Sequence, residues 1–197
     1  ELTCKGRAGH AGTTPMDKRQ DAFRAAARFA DQAHRAILDN FSPGVVNFGT
    51  IQVKPGAFNV IPDTAILGME FRHGDLDTFN HMQQTLLALA EKVAESLNVT
   101  VTADALGDIR PSPMSDYFVD TVEKATESLN LKSTRLMSFA GHDAQSFSGL
   151  VDNVIYFVPS VNGVSHHPEE LTTDEDCINA ANVMLHAVLQ LAQQTSP

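Results

Sequence analysis

The chain has 197 residues, 43% of them hydrophobic and 19% charged, with 14 Lys+Arg against 24 Asp+Glu for a formal charge of −10. This is globular composition, and an acidic balance with no Lys/Arg cluster argues against an electrostatic footprint for nucleic acid. No apolar run exceeds five residues, as at 154–158, far too short to span a bilayer.

Two distant cysteines, Cys4 and Cys177, form no Cys-x-x-Cys pair. That usage predicts a reducing, cytoplasmic setting without disulfides. The sequence opens Glu1-Leu2-Thr3-Cys4 with no Met and enters strand-like alternation at once, so it reads as part of a longer chain.

Residues 2–8 alternate apolar or small with polar side chains, as a half-buried strand does, and Gly9-His10-Ala11-Gly12 breaks the pattern. Thr14, Pro15 and Asp17 supply a capping hydroxyl, a first-turn proline and an early acid, which predicts a helix starting there. Phe23, Ala26, Ala27, Ala30, Ala33 and Ile37 carry helical spacing to about Asp39, and Pro43-Gly44 stops it. Residues 45–53 read as a strand, Lys54-Pro55-Gly56 as a turn and residues 64–72 as a second strand. After His73-Gly74-Asp75 comes a long amphipathic helix with Phe79, Met82, Leu86, Ala90, Val93 and Leu97 on one stripe. Residues 99–103 then alternate as a strand. The order βαββαβ predicts a ferredoxin-like unit, one sheet with two helices on one face.

Breakers crowd residues 107–113, which predicts a domain boundary there, with units at 1–110 and 111–197. The second unit reads as a helix over 117–129, a strand around 134–138, a short helix after Gly141, a buried strand at 154–158 and a helix over 174–194. Alternating β and α elements imply a parallel sheet. Two strands are fewer than an open sheet covered on both faces needs, so the unit reads as the C-terminal part of an open α/β domain.

Eight histidines and no tryptophan direct attention to imidazole chemistry, and His10, His142 and His166 fall in loops. His142 follows a strand at a helix start, where α/β sheets collect ligands. It reads equally as a helix entry with the ring in solvent. His166 and His167 beside Glu169 and Glu170 suit a metal ligand with carboxylate support, against a plain polar loop. His10 reads first as a residue of a glycine-rich turn. Arg72 offers either an exposed ion pair with Glu70 or a planar fork for an anion, and Asn59 either a turn or a polar contact. His34, His73, His81 and His186 read as surface or packing residues. No nucleophile elbow, Walker loop or dinucleotide fingerprint is present.

Five segments occur together in order: Gly9-His10-Ala11-Gly12-Thr13-Thr14-Pro15-Met16, Phe58-Asn59-Val60-Ile61-Pro62, Phe71-Arg72-His73, Ala140-Gly141-His142-Asp143-Ala144, and residues 163–170, GVSHHPEE. Together they resemble the amidase/hydantoinase/carbamoylase family of metallohydrolases, which includes N-carbamoyl-L-amino-acid hydrolases, allantoate amidohydrolases and β-ureidopropionases. The resemblance implies a ferredoxin-like lid and dimerisation domain joined to a catalytic α/β domain, a homodimer, and two divalent metal ions, Zn or Mn, per active site. It implies His166 as a metal ligand and His10 and His142 as catalytic donors. Asn59, Arg72, Gly163 and Ser165 would bind a small ureido or amide substrate, with Asn59 and Arg72 on its carboxylate. The remaining metal ligands and the general-base glutamate would lie before residue 1, so this chain is expected to be inactive alone. An aminoacylase or dipeptidase of the same superfamily, and a catalytically idle dimerisation or ligand-binding module, are the competing readings. A mononuclear zinc site from His10, His142 and His166 is a third.

Overall fold

The structure is a computed structural model and describes residues 1–194. The chain forms two compact units, Glu1–Pro111 and one that begins at Ser112.

The first unit contains β1 (Leu2–Lys5), α1 (Ala22–Asn40), β2 (Val45–Lys54), β3 (Thr64–Arg72), α2 (Leu76–Ser96) and β4 (Thr100–Ala103). Its sheet has the order β2-β3-β1-β4 with every pairing antiparallel. This is the ferredoxin-like topology that the element order predicts.

Period-two alternation sets the two faces of the sheet. Leu2 and Cys4 of β1 lie opposite Leu67 and Ala65 of β3, and all four are buried. Ala22, Ala25, Ala26, Phe29, Ala33 and Ile37 of α1 and Met82, Leu86, Ala90 and Val93 of α2 complete that core. Alanines at four of the six α1 positions let its backbone approach the sheet closely, and Phe29 meets Phe48 edge to face at 5.9 Å. The intervening strand residues Thr3, Lys5, Glu70, Arg72, Thr100 and Thr102, with Ile66 and Val45 among them, make the other face predominantly polar. Burial also raises the Cys4 thiol pKa, which leaves it an inert core group.

The start of α1 differs from the expectation. Thr14 to Asp17 produce only a single 3₁₀ turn, Met16–Lys18, and α1 begins at Ala22, capped by the Asp21 carboxylate, which accepts from the Arg24 N–H at 3.0 Å. Arg19 is extended, and the Gln20 carbonyl accepts from the Arg7 N–H at 2.8 Å. Tertiary pairing with the segment after β1 claims the backbone that the local capping pattern would have coiled. By contrast, α2 begins where the sequence predicts, its Asp75 carboxylate accepting from both the Thr78 N–H and hydroxyl.

The second unit holds α3 (Asp116–Ser128) and α4 (Asp174–Gln194), with 3₁₀ turns at Asp143–Phe147 and Val161–Gly163. Ala125, Val183 and Ala187 form its buried cluster, supported by Val122, Leu129 and Leu131. The two strands expected here, at 134–138 and 154–158, are not strands, and among the described residues this unit has no sheet. A strand exists only when a neighbour shares its ladder, and side chains hold both segments instead. Arg135 donates to Asp120 and Glu123 of α3 at 2.5 Å each, and the Tyr156 hydroxyl donates to the Ala180 carbonyl of α4 at 2.9 Å. The 154–158 segment is not buried either, with Phe157 49% exposed. Among the described residues, no helix is long and apolar enough to cross a membrane.

Candidate functional site

Backbone pairing continues past the end of β1 into two turns. Gly6 N–H donates to the Asp63 carbonyl at 2.8 Å, Ile61 N–H to Gly9 at 2.8 Å and Ala11 N–H to Asn59 at 2.9 Å, with His10 bridged to Val60. These bonds lock the His10 turn to the Asn59 turn. Both side chains are exposed.

The His10 Nδ1 accepts from the Gly12 N–H at 3.0 Å. A neutral imidazole accepting at Nδ1 carries its proton on Nε2, so the ring offers a donor away from the turn. Glycine at position 12 permits this approach, because a Cβ there would stand 3.2 Å from the His10 Cε1.

Arg72 ends β3 opposite Val45, with its guanidinium on the Glu70 carboxylate. Thr64 lies at the other end of β3, next to the Asn59 and His10 turns. Eight residue steps separate the two ends, about 26 Å at ~3.3 Å per residue. Within one chain, therefore, Asn59 and Arg72 cannot grip the same carboxylate.

In the second unit, His142 is half-buried rather than loose in solvent. Its Nε2 lies 3.0 Å from the Ser138 hydroxyl, its N–H donates to the Gln145 side-chain oxygen at 3.2 Å, and its ring packs on Phe157 at 5.2 Å. Gly163, Ser165 and His166 share a loop closed at its neck, where Val161 N–H donates to the Leu171 carbonyl at 2.8 Å and the Thr172 hydroxyl to Pro159 at 3.0 Å. The loop turns through left-handed backbone at Asn162 (φ 59°), Gly163 (φ 68°) and His166 (φ 56°). A non-glycine residue there is uncommon and costs roughly 1 kcal/mol or more. The Glu170 carboxylate holds it, accepting from the His166 N–H at 2.7 Å.

His166 is exposed at the loop tip, and among the described residues no three His, Cys, Asp or Glu side chains form a group able to hold a metal ion. Among the described residues, therefore, neither unit builds a metal centre by itself. Sequence reasoning did not single out Arg19, whose Nη2 donates to the Ala11 carbonyl at 2.5 Å and Nε to Thr14 at 3.1 Å. Its acceptors are main-chain oxygens, which leave no side-chain motif to find.

The family profile of peptidase family M20/M25/M40 matches residues 7–190. The chain belongs to that family. Within peptidase family M20/M25/M40 it is similar to the allantoate amidohydrolase of Escherichia coli (strain K12), 31% identical over 98% of this chain and 47% of the relative. It is also similar to the N-carbamoyl-L-amino acid amidohydrolase of Geobacillus stearothermophilus, 33% identical over 98% of this chain and 47% of the relative. The structure resembles the crystal structure of a hydantoinase/carbamoylase family amidase from Burkholderia multivorans, with a TM-score of 0.85 and 32% identity over 96% of this chain and 46% of that one. The chain spans about half the length of the curated relatives it matches.

Proposed function

We propose that this chain is part of a metal-dependent amidohydrolase that cleaves the C–N bond of N-carbamoyl amino acids or related ureido acids such as allantoate. The observation that carries the reading is the likeness to amidohydrolases acting on such compounds, which runs over 98% of the chain and so takes in both the His10 turn and the His166 loop.

In this reading His10 and His142 donate hydrogen bonds to the oxygen on which charge develops, where a positioned donor counts most. Asn59 and Arg72 bind the carboxylate, and Gly163 and Ser165 line the substrate's path. His166 supplies one ligand to divalent metal, Zn or Mn, in the whole protein. A bound divalent ion would supply Lewis-acid polarisation of the scissile carbonyl. The two ends of β3 then belong to different sites of a homodimer assembled through the first unit, each site taking Arg72 from one copy and Asn59 and His10 from the other. The setting proposed for the protein is the cytoplasm.

The test is turnover by the whole protein of allantoate, N-carbamoyl-L-amino acids and N-acetyl amino acids, before and after chelation and with Zn or Mn restored. Hydrolysis of ureido acids that chelation abolishes and metal restores is expected. Activity confined to acetylated substrates would point to an aminoacylase, and none in any arm to an idle ligand-binding module. The 197-residue chain by itself is expected to be inactive.

A further inference from the structure

We propose that Arg19 is the positioning residue for His10 and that it acts through a single peptide plane; the inference rests on the reading that His10 meets the substrate. The Ala11 carbonyl and the Gly12 N–H belong to the same peptide unit, which is planar and trans, so orienting one orients the other. Arg19 donates to the carbonyl end of that unit at 2.5 Å, and the N–H end faces the His10 Nδ1 at 3.0 Å. The neighbouring groups are held as well. Asn59 accepts from the Ala11 N–H at 2.9 Å, Arg19 also reaches the Thr14 carbonyl at 3.1 Å, and Thr14 N–H returns to the His10 carbonyl at 3.1 Å.

The guanidinium is suited to the task because its donors leave a rigid fork at fixed angles, so two carbonyls are gripped at once. A charged donor on the Ala11 oxygen also polarises the peptide and strengthens the Gly12 N–H as a donor. The consequence is chemical as well as structural. With Nδ1 engaged as an acceptor, the His10 proton resides on Nε2, the nitrogen turned away from the turn. The extended conformation of Arg19, which displaces the start of α1 to Ala22, is what places the guanidinium under the turn.

The decisive measurement is nitrogen NMR of the His10 ring together with hydrogen exchange of the Gly12 amide, in the wild-type chain and in Arg19→Gln and Arg19→Lys. In the wild type, at pH values where His10 is neutral, a single Nε2-protonated tautomer and a protected Gly12 amide are expected. Arg19→Gln is expected to mix the tautomers and speed Gly12 exchange at least tenfold while the β1–β3 ladder amides stay unchanged, and Arg19→Lys to restore part of the protection. A folded Arg19→Gln chain with unchanged His10 nitrogen shifts and Gly12 exchange overturns the proposal. Should Arg19→Gln fail to fold, the Arg19 Nε–H of the wild type decides. Slow exchange supports the clamp, and exchange as fast as in a free side chain rejects it.

In the whole protein, Arg19→Gln is expected to lower kcat/KM about tenfold on its own and to add nothing in a His10→Ala background. An equal further loss in that background places Arg19 elsewhere and overturns the proposal. His10→Ala with unchanged activity removes His10 from the substrate, whereas the tautomer measurement uses no substrate and judges the clamp separately.

Discussion

The main-chain N–H of Ala11 donates to the carbonyl of Asn59 at 2.9 Å, so the turns bearing His10 and Asn59 are one cross-linked piece although 49 positions separate the two residues in sequence. The extension of β1 toward these turns depends on its close passage over residues 18–22.

Gly6 is where that passage is tightest. A Cβ at this position would stand 2.0 Å from the Gln20 carbonyl oxygen and 3.2 Å from the Ala22 nitrogen, backbone atoms that cannot step aside as a flexible side chain would. Gly6→Ala is expected to lower stability by about 3 kcal/mol, measured as a lower urea midpoint of the first unit. An unchanged midpoint would show that the crossing relaxes without cost.

Asp75 supplies a pH signature. Its carboxyl is held below the ordinary 3.8 by the Thr78 hydroxyl first, then by the Thr78 N–H and the nearby His73. A carboxylate favoured in the folded state contributes its stability fully above its unfolded pKa and loses it as pH falls through the depressed folded value. Asp75→Asn keeps an acceptor for the helix cap but cannot titrate. The stability difference between wild type and variant should therefore shrink as pH falls below 3.8. A difference independent of pH down to 2 would refute this role.

Arg72 is the proposed carboxylate fork. In the whole protein, Arg72→Lys is expected to raise KM and cut kcat/KM at least tenfold for carboxylate-bearing substrates, about 1.4 kcal/mol, because one ammonium cannot replace two parallel donors. The corresponding amide substrates should be affected far less. Equal kinetics for wild type and variant on the acid substrates would remove Arg72 from the site.

A fourth expectation concerns assembly. β2 is a ten-residue edge strand with Val45 and Ile51 exposed, and long apolar edges invite pairing with another chain. We expect the chain to sediment as a dimer and Val45→Lys/Ile51→Lys to shift it toward monomer. A wild-type chain that remains monomeric at high micromolar concentration would count against a site shared between two copies.

The first unit is legible wherever one face of an element is buried against a continuous core. The stripe of Phe79, Met82, Leu86, Ala90 and Val93 specifies α2, and the alternation of β3 reproduces Thr64–Arg72, because burial on one side imposes the period that the eye reads. The same reasoning misplaced the start of α1. Thr14-Pro15 satisfies the local rules for a helix entry, but Arg19 and Gln20 bond to the segment after β1 and hold the chain extended.

Sequence alone determined the βαββαβ order, the identity of the loops that carry His10, Asn59, His142 and His166, and the family likeness, since each depends on residues close together along the chain. Tertiary structure decided which of these groups share a place. It joined Asn59 to His10 through main-chain bonds, put Arg72 at the opposite end of β3, and left 134–138 and 154–158 without a ladder, because pairing depends on a partner's backbone rather than on the segment's own side chains.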